Sequence, residues 1–383
     1  MKPRSYLDYN ATVPVKPAVT EAVAAALERV GNPSSVHSFG RLARRAVEDA
    51  RGRVAALVGA QPRQVVFTSG GTEANNLALE GSGRARRLVS AVEHVSVLEA
   101  AAEAIQLPVD DDGVVDLEAL ARELARDETP ALVSVMLANN ETGVIEPVAE
   151  VAALAHADGA LVHCDAVQAA GKVPVNMAAL GIDLLTLSAH KLGGPQGAGA
   201  LVVGDDVPLA PMLLGGGQEI GRRAGTENAP ALVGFGVAAE LAAVDVADGA
   251  RLTHLRDRLE RRLSAVAPGT RVFAAGVRRL PNTSCFTMPG VKSETQVMAL
   301  DLAGVAVSAG AACSSGKVAP SHVLGAMGVP SAEAETAIRV SLGWQTSADD
   351  IDRLIEAWSA LYARAGERRA GRPRSGDAAL PAA

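Results

Sequence analysis

The chain has 383 residues, 48% hydrophobic and 21% charged, which suits a folded globular protein of one large domain or two linked ones. A formal net charge of −7 with 3% aromatic residues offers neither a basic face nor stacking platforms, which argues against nucleic-acid binding. Three cysteines (Cys164, Cys285 and Cys313) without a CxxC pair exclude a disulfide framework or a cysteine-rich zinc site and suggest a reducing compartment. No uninterrupted apolar run reaches the ~18 residues of a membrane span. The opening MKPRSYLDYN lacks an apolar leader core, so a cytoplasmic protein with no membrane contact is expected.

Apolar periodicity predicts helices over 17–30 and 40–58, each closed by a glycine, Gly31 and Gly59. The run Val65–Phe67 reads as a strand, leading through a Gly-rich turn into a helix over 73–79. Strand-like segments follow at 88–91, 131–137, 160–164, 184–187 and 198–203, with helices at 94–104 and 148–157. Short apolar strands without alternation, separated by helices, indicate an α/β fold whose mostly parallel sheet is covered on both faces. A long helical region over 230–266 leads to a smaller α+β part. Its strands are expected at 271–273, 284–286 and 305–307, and its helices at 295–302, 333–337 and 349–363. The stretch 366–383, rich in Arg, Gly, Pro and Ala, is expected to be a disordered tail.

Three motifs sit just past strand ends, where ligands bind in such sheets. Thr68–Ser–Gly–Gly–Thr–Glu73 runs strand, turn, helix. Its glycines allow a close backbone approach, and the helix N-terminus offers unpaired N–H groups to an anion such as phosphate. It is equally readable as a plain βα turn with Thr72 as N-cap. Asp165 ends a buried strand, where a carboxylate needs a cation or donors, or simply caps the next turn. Only six of the 36 basic residues are lysines, and one of them, Lys191, lies in Ser188–Ala–His–Lys–Leu–Gly–Gly194. A lysine there is placed to form a Schiff base, although most loop lysines are merely solvated. Each bland reading is tenable alone. Together, a phosphate cradle, a carboxylate and a lysine are what pyridoxal 5'-phosphate requires.

These motifs, with Tyr6–Leu–Asp–Tyr–Asn–Ala–Thr12, Gly31–Asn–Pro–Ser–Ser–Val–His37, Glu93–His94, Asn139–Asn–Glu–Thr–Gly143 and Arg223–Ala–Gly–Thr226, resemble the cysteine desulfurases, in order and at similar spacing from about Tyr6 to Leu361. That family lies in the class V aminotransferase-like group of fold type I pyridoxal-phosphate enzymes. The resemblance implies a large cofactor domain over 13–250 and a small domain from 1–12 and 251–365 that carries a cysteine loop. It makes Lys191 the Schiff-base lysine, Asp165 the partner of the ring nitrogen, His94 the residue stacked on the ring and Gln168 the partner of the ring hydroxyl. Thr72, Ser188 and His190 become phosphate ligands, with Gly71 supplying backbone. Thr226 becomes a phosphate ligand given by a neighbouring subunit, which implies a homodimer. Asn140 and Arg339 match residues near the substrate carboxylate, which an arginine can grip with both arms.

Cys313 lies among small residues in Ser308–Ala–Gly–Ala–Ala–Cys–Ser–Ser–Gly316, whereas Cys164 and Cys285 sit in strand-like, buried-type surroundings. Cys313 also matches the family's sulfur acceptor, and the residues after it resemble the iron–sulfur and nitrogen-fixation subgroup. The expected reaction converts L-cysteine to L-alanine and leaves a persulfide on Cys313 for an acceptor protein such as an iron–sulfur scaffold. A selenocysteine lyase, an aminotransferase and a non-catalytic sulfur-transfer scaffold are the alternatives. Ala309, Ala311, Gly193, Ala224 and Trp344–Gln345 depart from the family's usual wording, and none removes a named catalytic group.

Overall fold

The computed structural model describes residues 4–309 and 320–370. The chain begins with β1 (Ser5–Tyr6), α1 (Pro17–Leu27), α2 (Ser38–Leu57), β2 (Val65–Thr68), α3 (Gly71–Gly81), β3 (Arg86–Ser90), α4 (Val95–Leu98), β4 (Ile105–Leu107) and α5 (Leu117–Leu124). It continues with β5 (Ala131–Ser134), α6 (Val148–Ala157), β6 (Leu161–Asp165), β7 (Leu184–Ser188), β8 (Gly199–Val203), α7 (Ala229–Asp245) and α8 (Gly249–Val266). The remainder is β9 (Thr283–Thr287), α9 (Ser293–Leu302), β10 (Val305–Ala306), β11 (Ser308–Ala309), α10 (His322–Ala326), α11 (Ser331–Ala334), β12 (Ala337–Ser341) and α12 (Ala348–Ala370).

Seven strands form one sheet in the order β2-β8-β7-β6-β5-β3-β4. All pairs are parallel except those of β8, which runs against both neighbours. The 189–198 connection is too short for a parallel crossover, so the chain returns antiparallel. The reversal leaves β2 running with β6 and β7, so the carboxyl ends of all three fall on one rim. Side chains alternate between two apolar cores. Val65 and Phe67 of β2 face one and Val66 the other, as do Val133 and Leu132 of β5. This double burial is why these strands show no polar alternation in the sequence. The helix from 229 is apolar enough to cross a membrane by composition, but Leu232, Phe235, Ala238 and Ala242 are packed in the core beneath the sheet. A separate apolar core gathers Leu255, Leu259, Phe286, Leu300, Val340 and Trp358 around the three-stranded sheet β11-β12-β9.

Several expectations need correction. The helix expected over 94–104 shrinks to α4, because the chain turns to deliver the edge strand β4. The helix expected over 333–337 stops at Ala334, and Ala337 instead opens β12, the middle strand of the three-stranded sheet. Pairing with β9 and β11 outweighs the local helix propensity. The 271–273 strand is reduced to a single bridge between Val272 and Phe286. The 305–307 strand splits into β10 and β11, which join different sheets. The 230–266 region is two helices joined by a turn at 246–248. Helix α5 was not expected; Asp116 caps it by accepting from the Ala119 N–H at 2.9 Å. The expected tail does not begin at Gly366, since α12 continues to Ala370; residues 371–383 lie outside the described residues.

Candidate active site

A cavity of about 330 Å³ opens at the rim where β2, β6 and β7 end. Ten of the residues singled out in the sequence line it: Gly71, Thr72, His94, Asn140, Asp165, Gln168, Ser188, His190, Lys191 and Arg339. Thr226 does not line it and is exposed. Cys313 lies outside the described residues.

The turn between β2 and α3 is pressed against β8. A Cβ at Gly199 would sit 2.5 Å from the Gly70 carbonyl carbon, so only glycine permits this approach. Gly70 gives α3 no side-chain cap, and Glu73 takes the Ser69 N–H at 2.7 Å, held in place by Arg223. The helix therefore presents its first turn, at Gly71 and Thr72, as an anion cradle beside Ser188 and His190. Burial, followed by the nearby Lys191 charge, pushes the His190 pKa down to about 4, so His190 is a neutral ligand at pH 7.

Asp165 is buried at the end of β6. It accepts from Asn75 Nδ2 at 2.8 Å and from the Val167 N–H at 2.9 Å. The same Asn75 nitrogen donates to Ser96 Oγ at 2.9 Å, and Ser96 Oγ lies 2.8 Å from His94 Nδ1. The Ser96 N–H donates to that ring nitrogen as well, at 3.1 Å. Nδ1 is thus an acceptor, and the proton of the neutral ring belongs on Nε2. Burial lowers the His94 pKa, with Asp165 opposing and Lys191 and His322 assisting. The cavity therefore holds a carboxylate and a neutral imidazole coupled through two side chains. Asn75 and Ser96 escaped sequence reasoning. An asparagine four residues after Gly71, in line with the buried Ala74 and Ala78, was the available signal.

Lys191 follows β7 in a short 3₁₀ turn, and its Nζ donates to the carbonyls of Asn10 at 2.6 Å and Ala11 at 2.9 Å. Asn10 is buried and ties the two sheets together, its carbonyl accepting from Lys191 Nζ and its Nδ2 donating to Thr283 Oγ1 at 2.9 Å. Across the cavity, Arg339 on β12 is buried. It grips Asp8 Oδ1 at 2.7 Å and the Asn140 carbonyl at 3.0 Å, and among the described residues its Nε has no partner. The ion pair with Asp8 exists, but it is enclosed rather than a surface pair. Cys164 and Cys285 are buried, and burial raises both thiol pKa values, which makes them poor nucleophiles.

The donor set fits pyridoxal 5'-phosphate. A helix N-terminus with Ser188 suits a phosphate, Asp165 a protonated ring nitrogen, His94 a ring face and Lys191 an aldehyde. Fold and cavity together define a class, an α/β enzyme of the fold type I pyridoxal-phosphate group. Comparison with known proteins narrows it. Residues 5–354 match the aminotransferase class-V family. A cysteine desulfurase of Cereibacter sphaeroides is 47% identical over 368 residues, covering 92% of this chain and 94% of that protein. An IscS-like cysteine desulfurase of Mycobacterium tuberculosis is 40% identical, covering 97% and 99%. The solved NifS-like protein of Rickettsia africae superposes with a TM-score of 0.87 at 36% identity, covering 94% and 100%. The chain belongs to the class-V aminotransferase family, among its NifS/IscS-like, pyridoxal-phosphate-dependent cysteine desulfurases.

Proposed function

We propose that this enzyme takes sulfur from L-cysteine onto Cys313 and hands it to an acceptor protein such as an iron–sulfur scaffold. The observation that carries the reading is the convergence of Asp165, His94, the Gly71–Thr72 cradle and Lys191 on one cavity. When bound there, pyridoxal phosphate supplies an aldehyde for the substrate amine and a sink for the electrons of the Cα–H bond. Lys191 would hold the cofactor's aldehyde, and its amine would accept and return the substrate Cα proton. Asp165 keeps the ring nitrogen protonated. His94, donating through Nε2, covers the ring face and assists proton movement. Gln168 would hold the ring oxygen, Ser188, His190 and Thr72 the phosphate, and Asn140 and Arg339 would orient the substrate carboxylate. The Cys313 thiolate attacks the substrate sulfur. A new S–S bond forms as the C–S bond breaks, the bonding electrons pass to carbon, and a proton completes alanine.

The cofactor domain spans 13–250, and 1–12 with 251–365 form the small domain; the separate apolar core of the three-stranded sheet supports this division. The working unit is a homodimer in the cytoplasm. Val36 and Phe39, beside the start of α2, and Leu214 and Ile220 are exposed apolar side chains, and Thr226 is exposed outside its own cavity. That pattern fits a partner copy covering this face and receiving Thr226.

The deciding experiment is Cys313→Ser in the cofactor-loaded enzyme. Alanine formation from cysteine and protein-bound persulfide should both fall by at least ~100-fold, with the cofactor band unchanged. Persulfide formation at the parent rate would remove Cys313 from the mechanism.

A further inference from the structure

A second cavity of about 60 Å³ shares Lys191 with the main cavity, and its wall includes Lys172. Lys172 has no part in the mechanism above, yet its Nζ donates to Gln168 Oε1 at 2.6 Å and to Asn10 Oδ1 at 2.9 Å. Burial, and then the charges of Lys191 and Arg339, hold its pKa well below the ordinary lysine range. An amine is thus kept beside two other cationic groups at an electrostatic penalty. Its two acceptors require only donors, and a neutral amine still carries two N–H groups for Gln168 Oε1 and Asn10 Oδ1.

The consequence falls on Gln168. Its Oε1 is taken by Lys172, and one Nε2 hydrogen goes to the Asn10 carbonyl at 2.9 Å. The side chain also lines the main cavity. With Lys172 on Oε1 and the Asn10 carbonyl on one Nε2 hydrogen, the amide is held in one orientation, and among the described residues its second Nε2 hydrogen, a donor, is left for a ligand. A primary amide could otherwise turn over and offer its oxygen, since its two ends are nearly the same size.

We propose that Lys172 is a positioning residue that locks the Gln168 amide nitrogen toward the cavity, so that this wall selects an oxyanion on the bound cofactor over a hydroxyl. The proposal rests on pyridoxal phosphate occupying the cavity. A hydrogen bond donated to a phenolate favours its ionised form. The lock therefore biases the ring oxygen toward its ionised state without Lys172 touching the cofactor.

The test uses the cofactor-loaded enzyme and its Lys172→Met, Lys172→Arg, Gln168→Leu and Lys172→Met/Gln168→Leu variants. Two readouts apart from turnover are taken: the ratio of the long-wavelength to the short-wavelength cofactor band at one pH, and the cofactor dissociation constant. Lys172→Met is expected to lower the band ratio about threefold or more, because the hydroxyl form grows as the amide turns, and Lys172→Arg is expected to restore most of it. In the Gln168→Leu background, the Lys172→Met effect on the dissociation constant is expected to shrink by more than half, since the lysine acts through the amide. An unchanged band ratio in Lys172→Met would overturn the proposal. So would a Lys172→Met effect that survives undiminished without Gln168, which is the outcome of a purely structural lysine. A parent protein that forms no borohydride-reducible link between Lys191 and pyridoxal phosphate would instead sink the underlying cofactor reading.

Discussion

At the rim of the large sheet, Gly71, Asp165 and Lys191 stand at or within three residues of the ends of β2, β6 and β7, so backbone pairing alone sets their spacing. The opposite wall is built otherwise. Arg339 meets Asp8 across 331 residues and Asn140 across 199, and Asn10 reaches Thr283 across 273. The first wall is as rigid as the sheet beneath it. The second exists only while β12, β9 and the chain before α1 are docked together. On the proposed function, the difference divides the work between a fixed wall that would hold the cofactor and an assembled wall that would meet the substrate.

Three changes test that division. Lys191→Ala, at the fixed wall, is expected to lower turnover by more than about 10³-fold. Borohydride should then no longer attach cofactor to protein, as read by mass. Residual turnover near the parent rate would end the assignment of Lys191. Arg339→Lys, at the assembled wall, keeps a charge but cannot hold Asp8 and Asn140 with two arms. The KM for cysteine should rise about tenfold with a smaller change in kcat, and the protein should lose about 1–2 kcal/mol of stability. An unchanged KM would mean that the two walls do not divide the work in this way.

The smallest effect concerns the sheet itself. His163, buried between Ser134 Oγ and Thr186 Oγ1, has its pKa lowered to about 4 by burial, against an ordinary value of 6.5. Between these values the unfolded chain binds a proton that the folded chain refuses. Stability from His163 is therefore complete above pH 6.5 and is lost as pH falls toward 4, by about 3 kcal/mol. His190 acts in the same direction. The urea midpoint should drop across this range, and His163→Asn should flatten the drop. Parallel curves for parent and variant would mean that the sheet is not the acid-sensitive part.

How legible each wall was follows from the same contrast. The rim motifs could be read because strand, turn and ligand lie within about six residues of one another. Asn75 and Asn10 remained invisible as participants because each acts on a side chain distant in sequence, whereas Ser96 and Lys172 act on residues two and four positions away, where their types alone suggest a cap and solvated surface. Arg339 was singled out by likeness, while its strand, β12, was not expected and its first residue reads as helix: an Ala- and Glu-rich approach favours helix until two partner strands are present.

By itself, the sequence determined the α/β class, the doubly buried strands and the lysine, carboxylate and glycine turn that follow them. These depend on local pattern and on the rule that ligands sit at strand ends. Only the tertiary structure decided that β8 reverses, that Asn10 joins the two sheets, that His94 is neutral with its proton on Nε2, and that Lys172 stands behind Gln168. Those outcomes depend on strand pairing, burial and hydrogen bonds made once the sheets have packed, whether the partners are near in the chain, as Lys172 is to Gln168, or far, as Asn10 is to Thr283.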